Sequence, residues 1–333
     1  MAQVGRAVKQ GRRTWVGIAV AGCSLALQCG SAPVAPCPKT PVIATDLRHS
    51  ETTVAGKGGL LLRVQTWLPA TSPARATLVV VHGLKDHGDR YAGLASDLAQ
   101  GGWAVHALDL RGHGKSPGEK VWVESFDDYA QDVAQVVAFA RQMTPDRPLF
   151  VFGHSMGGAI ATLYTLDAKP APDGLVLSAP ALIPGNDVTG FLIWVTRRLN
   201  SIAPHSKVLD LPDAKFSRDP KVVADIACDP LVSHEPGPAH TAAELLNALE
   251  RIEGRMAELN VPLLDLHGTE DQLTNPDGSK RLVERAKTRD KTLRLYPNVQ
   301  HDLLHEPEGQ KIQSEIVDWL QARLPAASTA TAS

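Results

Sequence analysis

The chain has 333 residues, 43% of them hydrophobic, and a formal net charge of −2. That length carries one sizeable α/β core, and so even a charge balance offers no electrostatic footprint for nucleic acid. Its twelve histidines are scattered, with no His-Glu-x-x-His and no Cys-x-x-Cys, so neither metal nor organic cofactor is expected.

At the N-terminus, Lys9, Arg12 and Arg13 precede an apolar run from Trp15 to Leu27. The run is too short to span a bilayer and suits the hydrophobic region of an export signal. Within it Val20-Ala21-Gly22-Cys23-Ser24 resembles a bacterial lipobox, and Arg12-Arg13 with Trp15 loosely resembles a twin-arginine signal. The expectation is a signal over 1–23 with lipidation at Cys23, giving an exported membrane lipoprotein; an ordinary cleavable signal, giving a secreted or periplasmic protein, is the alternative. Residues 24–45 carry Pro33, Pro36, Pro38 and Pro41 and read as an extended tether. Cys29 and Cys37 are close enough in sequence to pair in an oxidising compartment, which leaves Cys228 over.

The folded part is expected over 46–325, with a short disordered tail at 326–333. Leu60 to Trp67, after the turn-like Gly56-Lys57-Gly58-Gly59, predicts a hairpin at a sheet edge. Strand and helix patterns then alternate: Thr77–Val81, a helix Tyr91–Gln100, Trp103–Leu108, and a helix Phe126–Met143 with Tyr129, Val133, Val136, Val137 and Ala140 on one face. Leu149–Phe152 and a helix Met156–Leu166 follow, then Leu175–Leu177, Pro262–Leu266, Leu293–Leu295 and a closing amphipathic helix Gln310–Leu324. Such alternation implies a mostly parallel sheet with helices on both faces and a site at the carboxyl ends of the strands. It stops between about 181 and 259, a stretch read as an inserted helical cap. There Phe191-Leu192-Ile193-Trp194-Val195 is apolar over more than one helical face. It is either a helix packed on the core or a lid that admits acyl chains from micelles or membranes.

Leu149-Phe150-Val151-Phe152 runs into Gly153-His154-Ser155-Met156-Gly157. A buried strand, a sharp turn fenced by glycines and a helix form the nucleophile elbow, which presents Ser155 as a nucleophile. Gly114-Lys115-Ser116-Pro117-Gly118 matches the same five-residue pattern. The residue after an elbow serine must donate its N–H to the oxyanion hole; Met156 has one and Pro117 does not, so Ser116 reads as a loop residue.

A serine nucleophile needs a base, and the base an orienter. In the order Ser…Asp…His, typical of α/β hydrolases, each should follow a later strand. His267-Gly268-Thr269-Glu270-Asp271 follows one and Asn298-Val299-Gln300-His301 the next, which nominates Asp271 as orienter, with Glu270 as rival, and His301 as base, with His305 as rival. Strand 77–81 ends in His82-Gly83, so the second oxyanion donor is assigned to Leu84 N–H beside that of Met156.

The segments HGLKDHGDRY (82–91), DLRGHGKSPGEK (109–120), GHSMGG (153–158), HGTEDQLTNPDGS (267–279) and YPNVQHDLLHE (296–306) together resemble the monoacylglycerol lipase and lysophospholipase-like family. The resemblance spans roughly Thr53 to Leu324 and implies an α/β-hydrolase fold. It also implies Ser155, Asp271 and His301 as the catalytic triad and Leu84 and Met156 at the oxyanion hole. Asp86, Arg90 and His154 match positions near the polar, alcohol-binding end. The bulky Leu84, where a small residue is common, departs from the family pattern. The expected function is therefore a serine ester hydrolase that cleaves monoacylglycerols through an acyl-enzyme. Its expected partners are a single-chain lipid ester and a membrane surface, met through the lipid anchor and the apolar cap. A lysophospholipase or short-chain carboxylesterase is the alternative, and a non-catalytic lipid-binding lipoprotein a remoter one.

Overall fold

The computed structural model describes residues 47–185 and 188–324. The export signal, Cys23, the tether and the C-terminal tail lie outside the described residues.

An eight-stranded sheet runs in the order β1-β2-β4-β3-β5-β6-β9-β10. Its strands are β1 (Leu47–Ala55), β2 (Leu61–Pro69), β3 (Ala76–Val81), β4 (Trp103–Leu108), β5 (Leu149–His154), β6 (Gly174–Ser178), β9 (Leu263–Gly268) and β10 (Lys291–Tyr296). β1 pairs antiparallel with β2 and β2 antiparallel with β4, so the expected edge hairpin is present; from β4 to β10 every pairing is parallel. Parallel central strands must be covered on both faces, and β3, β4 and β5 are buried along their whole length. Their alternating side chains feed two cores. Val79, Val81 and Val151 pack on one side, and Leu78, Val80, Phe150 and Phe152 on the other.

The first core is closed by α2 (Phe126–Met143), α3 (Met156–Asp167), α6 (Ala239–Arg255) and α7 (Pro276–Arg285); the second by α1 (Ala92–Gln100) and α8 (Gly309–Gln321). Helix α2 buries Phe126, Tyr129, Val133, Val136, Val137 and Ala140, the predicted face, and Ser125 caps it by accepting the Asp127 N–H. The same helix buries Asp132, whose carboxylate accepts Nε–H and NH2 groups of Arg111 and the backbone N–H of Lys57. That carboxylate ties the turn of the edge hairpin to the body of the domain.

Between β6 and β9 lie α4 (Gly190–Ile202), a small antiparallel pair β7 (Lys207–Leu209) and β8 (Gly237–Pro238), α5 (Pro220–Cys228) and α6. The last helix does not stand apart from the core: Ala248, Leu249 and Ile252 are buried in it, and Thr241 Oγ1 donates to the Val121 carbonyl at 2.8 Å. Helix α7 has no counterpart among the predicted elements. Its few buried positions, Gly278, Ser279 and Leu282, make no apolar stripe, although Asn275 caps it and Pro276 opens its first turn.

One charged-type side chain in the core has an unusual setting. Asp265, in the middle of β9, is fully buried, and burial pushes its carboxyl up to about 8, against a smaller opposing effect of the Ser279 hydroxyl. The unfolded chain releases this proton near pH 3.8, whereas the folded chain holds it to about 8. Stability contributed by the neutral acid is thus fully present below pH 3.8, falls as pH rises toward 8, and changes no further above it. Asp265→Asn, neutral at every pH, should flatten the fall in melting temperature between pH 5 and 9; an unchanged profile in thermal denaturation would show that Asp265 is ionised in the fold.

Candidate active site

Ser155 stands between the end of β5 and the first residue of α3 with φ 54° and ψ −123°. A non-glycine residue in that region costs of order 1–3 kcal/mol and must be held by its surroundings. Its N–H donates to the Ser178 carbonyl at 3.1 Å, and its carbonyl accepts from Gly158 and Ala181, each at 2.9 Å. The flanking glycines are steric requirements: a Cβ on Gly157 would lie 2.3 Å from the carbonyl oxygens of Val81 and His82, and one on Gly153 2.5 Å from the Gly157 carbonyl. Ser116 has a different setting. Its hydroxyl donates to the Asp109 carbonyl at 2.6 Å and accepts the Arg63 N–H at 2.8 Å, which pins a surface loop to β2.

β9 and β10 deliver the other two groups. Asp271 lies on the turn after β9 and His301 after β10, and His301 Nδ1–H donates to Asp271 Oδ2 at 2.7 Å. Both are buried. Asp271 Oδ1 accepts the N–H groups of Leu273 (2.8 Å) and Thr274 (2.9 Å), and Oδ2 accepts the Thr274 hydroxyl at 2.8 Å. A second imidazole reaches the same oxygen, with His267 Nε2 at 3.2 Å. Burial acts to raise the carboxyl, but His301 and His267 outweigh it, and Asp271 is held ionised well below the usual carboxylate range. With Nδ1 so engaged, Nε2 of His301 is the nitrogen available to a serine proton.

The rivals are placed elsewhere. Glu270 is exposed, and its N–H donates to the Val299 carbonyl. His305 Nδ1 bonds Asp302 Oδ1 at 2.7 Å and its Nε2 faces the Arg90 carbonyl at 3.1 Å, so it braces two loops.

Leu84 and Met156 both border the cavity above Ser155. Met156 opens α3, and N–H groups of a first helical turn have no acceptor within the helix, so its donor is available to a bound oxyanion. His154 is buried, with its ring 4.8 Å from that of His301, and its Nδ1–H donates to the Ser178 carbonyl at 3.0 Å. Burial, reinforced by the neighbouring His301, lowers it to about 4, so it remains an uncharged neighbour at neutral pH. Asp86 and Arg90 line a narrow recess beside Leu84, but their charges are spent within the protein. Asp86 accepts from the His87 N–H (2.8 Å), Arg90 NH1 (3.3 Å) and Tyr91 O–H (2.9 Å), and Arg90 NH2 bonds Asp302. The pair therefore stiffens the loop after β3, and its charged atoms are already satisfied without a ligand.

A cavity of about 150 Å³ opens from Ser155. Its wall is apolar, built by Leu192 of α4, Leu245 and Leu249 of α6, and Leu273 beside Asp271. Sequence reasoning missed Thr274 and His267, which complete the hydrogen bonding of Asp271; the only signal for Thr274 was its place three residues after the acid in a turn.

Strand order, elbow and a buried carboxylate–imidazole pair define a serine hydrolase with the α/β-hydrolase fold. The chain belongs to the Hydrolase_4 family, described as "Serine aminopeptidase, S33", which matches residues 72–308. It is 35% identical over 276 residues to the monoacylglycerol lipase of Mycolicibacterium smegmatis, covering 83% of this chain and 98% of that one. It is 34% identical over 289 residues to the human monoglyceride lipase, covering 86% and 94% respectively. Among solved structures it is similar to the monoacylglycerol lipase of Paleococcus ferrophilus, with a TM-score of 0.69 at 28% identity, covering 83% of this chain and 99% of that one.

Asp271→Asn should lower kcat by roughly 10⁴-fold with little change in KM, because an amide stabilises the wrong imidazole tautomer and cannot stabilise the imidazolium. Steady-state kinetics check this, and a loss under tenfold would remove Asp271 from the orienting role.

Proposed function

We propose that the enzyme hydrolyses monoacylglycerols, with Ser155 as nucleophile, His301 as general base and then acid, and Asp271 as its orienter. The observation that carries the reading is the apolar cavity that ends at Ser155, bordered by Leu84, Met156 and a wall of leucines. An acyl chain fills such a cavity and sets its ester carbonyl against the serine. Ser155 Oγ attacks the carbonyl carbon as His301 Nε2 takes the hydroxyl proton, and the two N–H groups carry the oxyanion. The imidazolium, stabilised by Asp271, protonates the departing glycerol oxygen. Water, deprotonated by the same imidazole, then attacks the acyl-enzyme and releases the fatty acid and free Ser155.

The family description raises peptides as the other substrate class. An aminopeptidase holds the substrate's ammonium against an uncommitted carboxylate, whereas Asp86, the acid beside the recess, already serves Arg90, Tyr91 and the His87 N–H. The similarity to monoacylglycerol lipases supports the lipid reading.

Turnover of a long-chain monoacylglycerol, a lysophospholipid, a short aryl ester and an aminoacyl arylamide, by the enzyme and by Ser155→Ala, tests this. The monoacylglycerol should give the highest kcat/KM, and Ser155→Ala should lower it by roughly 10⁴-fold or more. Turnover of the short ester alone would leave an esterase and remove the lipid reading.

The same reading places the enzyme at a membrane, through lipidation of Cys23 and through α4. That helix exposes Trp194 and Ile202 on one face with Arg198, whose guanidinium lies over the Trp194 ring, a face suited to an anionic lipid surface. Among the described residues no helix is long and apolar enough to cross a membrane. Cys23→Ala should move the protein from the membrane to the soluble fraction. Trp194→Gln with Ile202→Gln should lower hydrolysis of vesicle-borne substrate roughly tenfold and leave that of a soluble short ester unchanged. Equal effects on both substrates would place α4 in catalysis and not in docking.

A further inference from the structure

The narrow recess beside Leu84 and the acyl cavity are neighbours, since Leu84 and Leu211 border both. Phe216 also lines the recess and rests nearly edge-on against the His301 ring, with centroids 5.7 Å apart. In the proposed reaction the acyl chain fills the apolar cavity, and the leaving oxygen takes its proton from His301. The recess then lies on the side by which the alcohol departs. Its volume is about 10 Å³, room for about one water-sized group.

Four charged side chains line this recess: Lys85, Asp86, Arg90 and Asp213. Asp86 and Arg90 bond to each other, and Arg90 to Asp302. Asp213 is partly exposed to water, with His234 Nδ1 3.8 Å from its Oδ2. Lys85 differs from all three. It is only 4% exposed, and no acceptor among the described residues lies within hydrogen-bonding or ion-pair distance of its ammonium. Burial lowers that ammonium, with Asp210 and Asp213 opposing from beyond contact. An ammonium has three donors and no acceptor, and leaving them unmet in a buried place is unfavourable.

The backbone sharpens the point. Lys85 is held at φ 64°, a left-handed conformation that glycine adopts freely and a lysine does not. Its carbonyl accepts the Ser233 N–H at 3.1 Å, which fixes the residue between the loop after β3 and the segment before β8. The chain therefore maintains a strained position and places an unmet cation there.

We propose that Lys85 is a specificity-determining residue, whose ammonium donates to a hydroxyl of the leaving alcohol seated in the recess. Size and charge fix the ligand class. A space for one water-sized group takes a hydroxyl and leaves no room for a phosphate. Asp86 and Asp213 face the same space, and two carboxylates disfavour an anion. A hydroxyl suits an ammonium flanked by carboxylates, because its oxygen accepts from Lys85 while its hydrogen stays free to donate. A monoacylglycerol carries such a hydroxyl on the carbon next to the ester-bearing one, whether the acyl group is terminal or central. A simple alkyl ester of the same acid carries none.

The inference rests on the monoacylglycerol reading, and its test separates the two. kcat/KM of the full-length enzyme, Lys85→Met and Lys85→Gly is measured on a long-chain monoacylglycerol and on the propyl ester of the same acid. The propyl ester keeps the carbon skeleton of the alcohol and lacks both hydroxyls. The unsubstituted enzyme should prefer the monoacylglycerol by roughly tenfold or more, the size of one hydrogen bond to a charged group. In Lys85→Met, which keeps most of the stem, that ratio should fall about tenfold. Lys85→Gly should lower it as far, and because glycine suits φ 64° it carries the comparison should Lys85→Met not fold.

An unchanged ratio overturns the proposal. Equal losses on the two esters do so as well, since they would make Lys85 a brace of the loop. Faster turnover of a 1-acylglycerol 3-phosphate than of the monoacylglycerol overturns the hydroxyl assignment in favour of an anion. No turnover of the monoacylglycerol by the unsubstituted enzyme removes the functional reading and this inference with it. Turnover with an unmoved ratio removes the inference alone.

Discussion

Ser155 occupies a backbone region that L-residues avoid, and most of the architecture can be understood as what holds it there. The strain is local, but its restraint is not. β6 supplies the carbonyl that takes the Ser155 N–H, and the segment after β6 supplies the Ala181 N–H for its carbonyl. β3 supplies the carbonyls of Val81 and His82 against which Gly157 is packed. Three neighbouring parallel strands and a helix N-terminus therefore converge on one residue. A parallel sheet buried on both faces is rigid enough to do this, because none of its central strands can shift register without moving a row of side chains between the two cores.

The same sheet separates the chemistry into two kinds of polar group. Toward the cavity lie Ser155 and Met156, which with His301 are the groups proposed to meet a substrate. Behind them, polar groups satisfy one another: Asp86 with Arg90 and Tyr91, His305 with Asp302, Asp271 with two N–H groups, a hydroxyl and two imidazoles. Charge is buried there in pairs and networks, which makes those loops stiff. Stiff loops suit the proposed mechanism, in which donors and imidazole held in place leave little reorganisation to the reaction.

Much of this was legible in the sequence, for reasons that differ by element. β3, β4 and β5 announce themselves because a strand buried on both faces has no polar partner to break the run. The elbow is legible because its backbone demands are written directly as glycines, and Pro117 disqualifies the decoy by lacking an N–H. Asp271 and His301 follow from chain order alone. What was hidden depends on groups that meet only after folding. Arg90 and Asp302 are 212 residues apart, and without their contact Asp86 and Arg90 read as groups awaiting a substrate. Helix α7 was missed because its role is to carry Ser279 and Leu282 inward, too few positions to leave a periodic trace. Asp265 reads as a flaw in an apolar strand until the neighbours that surround it are known.

Helix α6 has a double duty whose consequence lies in how such an enzyme can diversify. Leu245 and Leu249 face the cavity, while Ala248, Leu249 and Ile252 on adjoining positions lock into the core shared with α2 and α3. A residue exchanged there to lengthen or shorten the cavity also alters the packing of the whole domain. Helix α4 meets the cavity through Leu192 and Thr196, and of its described side chains only Thr196 is buried. Evolutionary drift in acyl-length preference thus has an inexpensive route through α4 and a constrained one through α6. One wall of the pocket is free to explore new substrates while the other keeps the molecule folded.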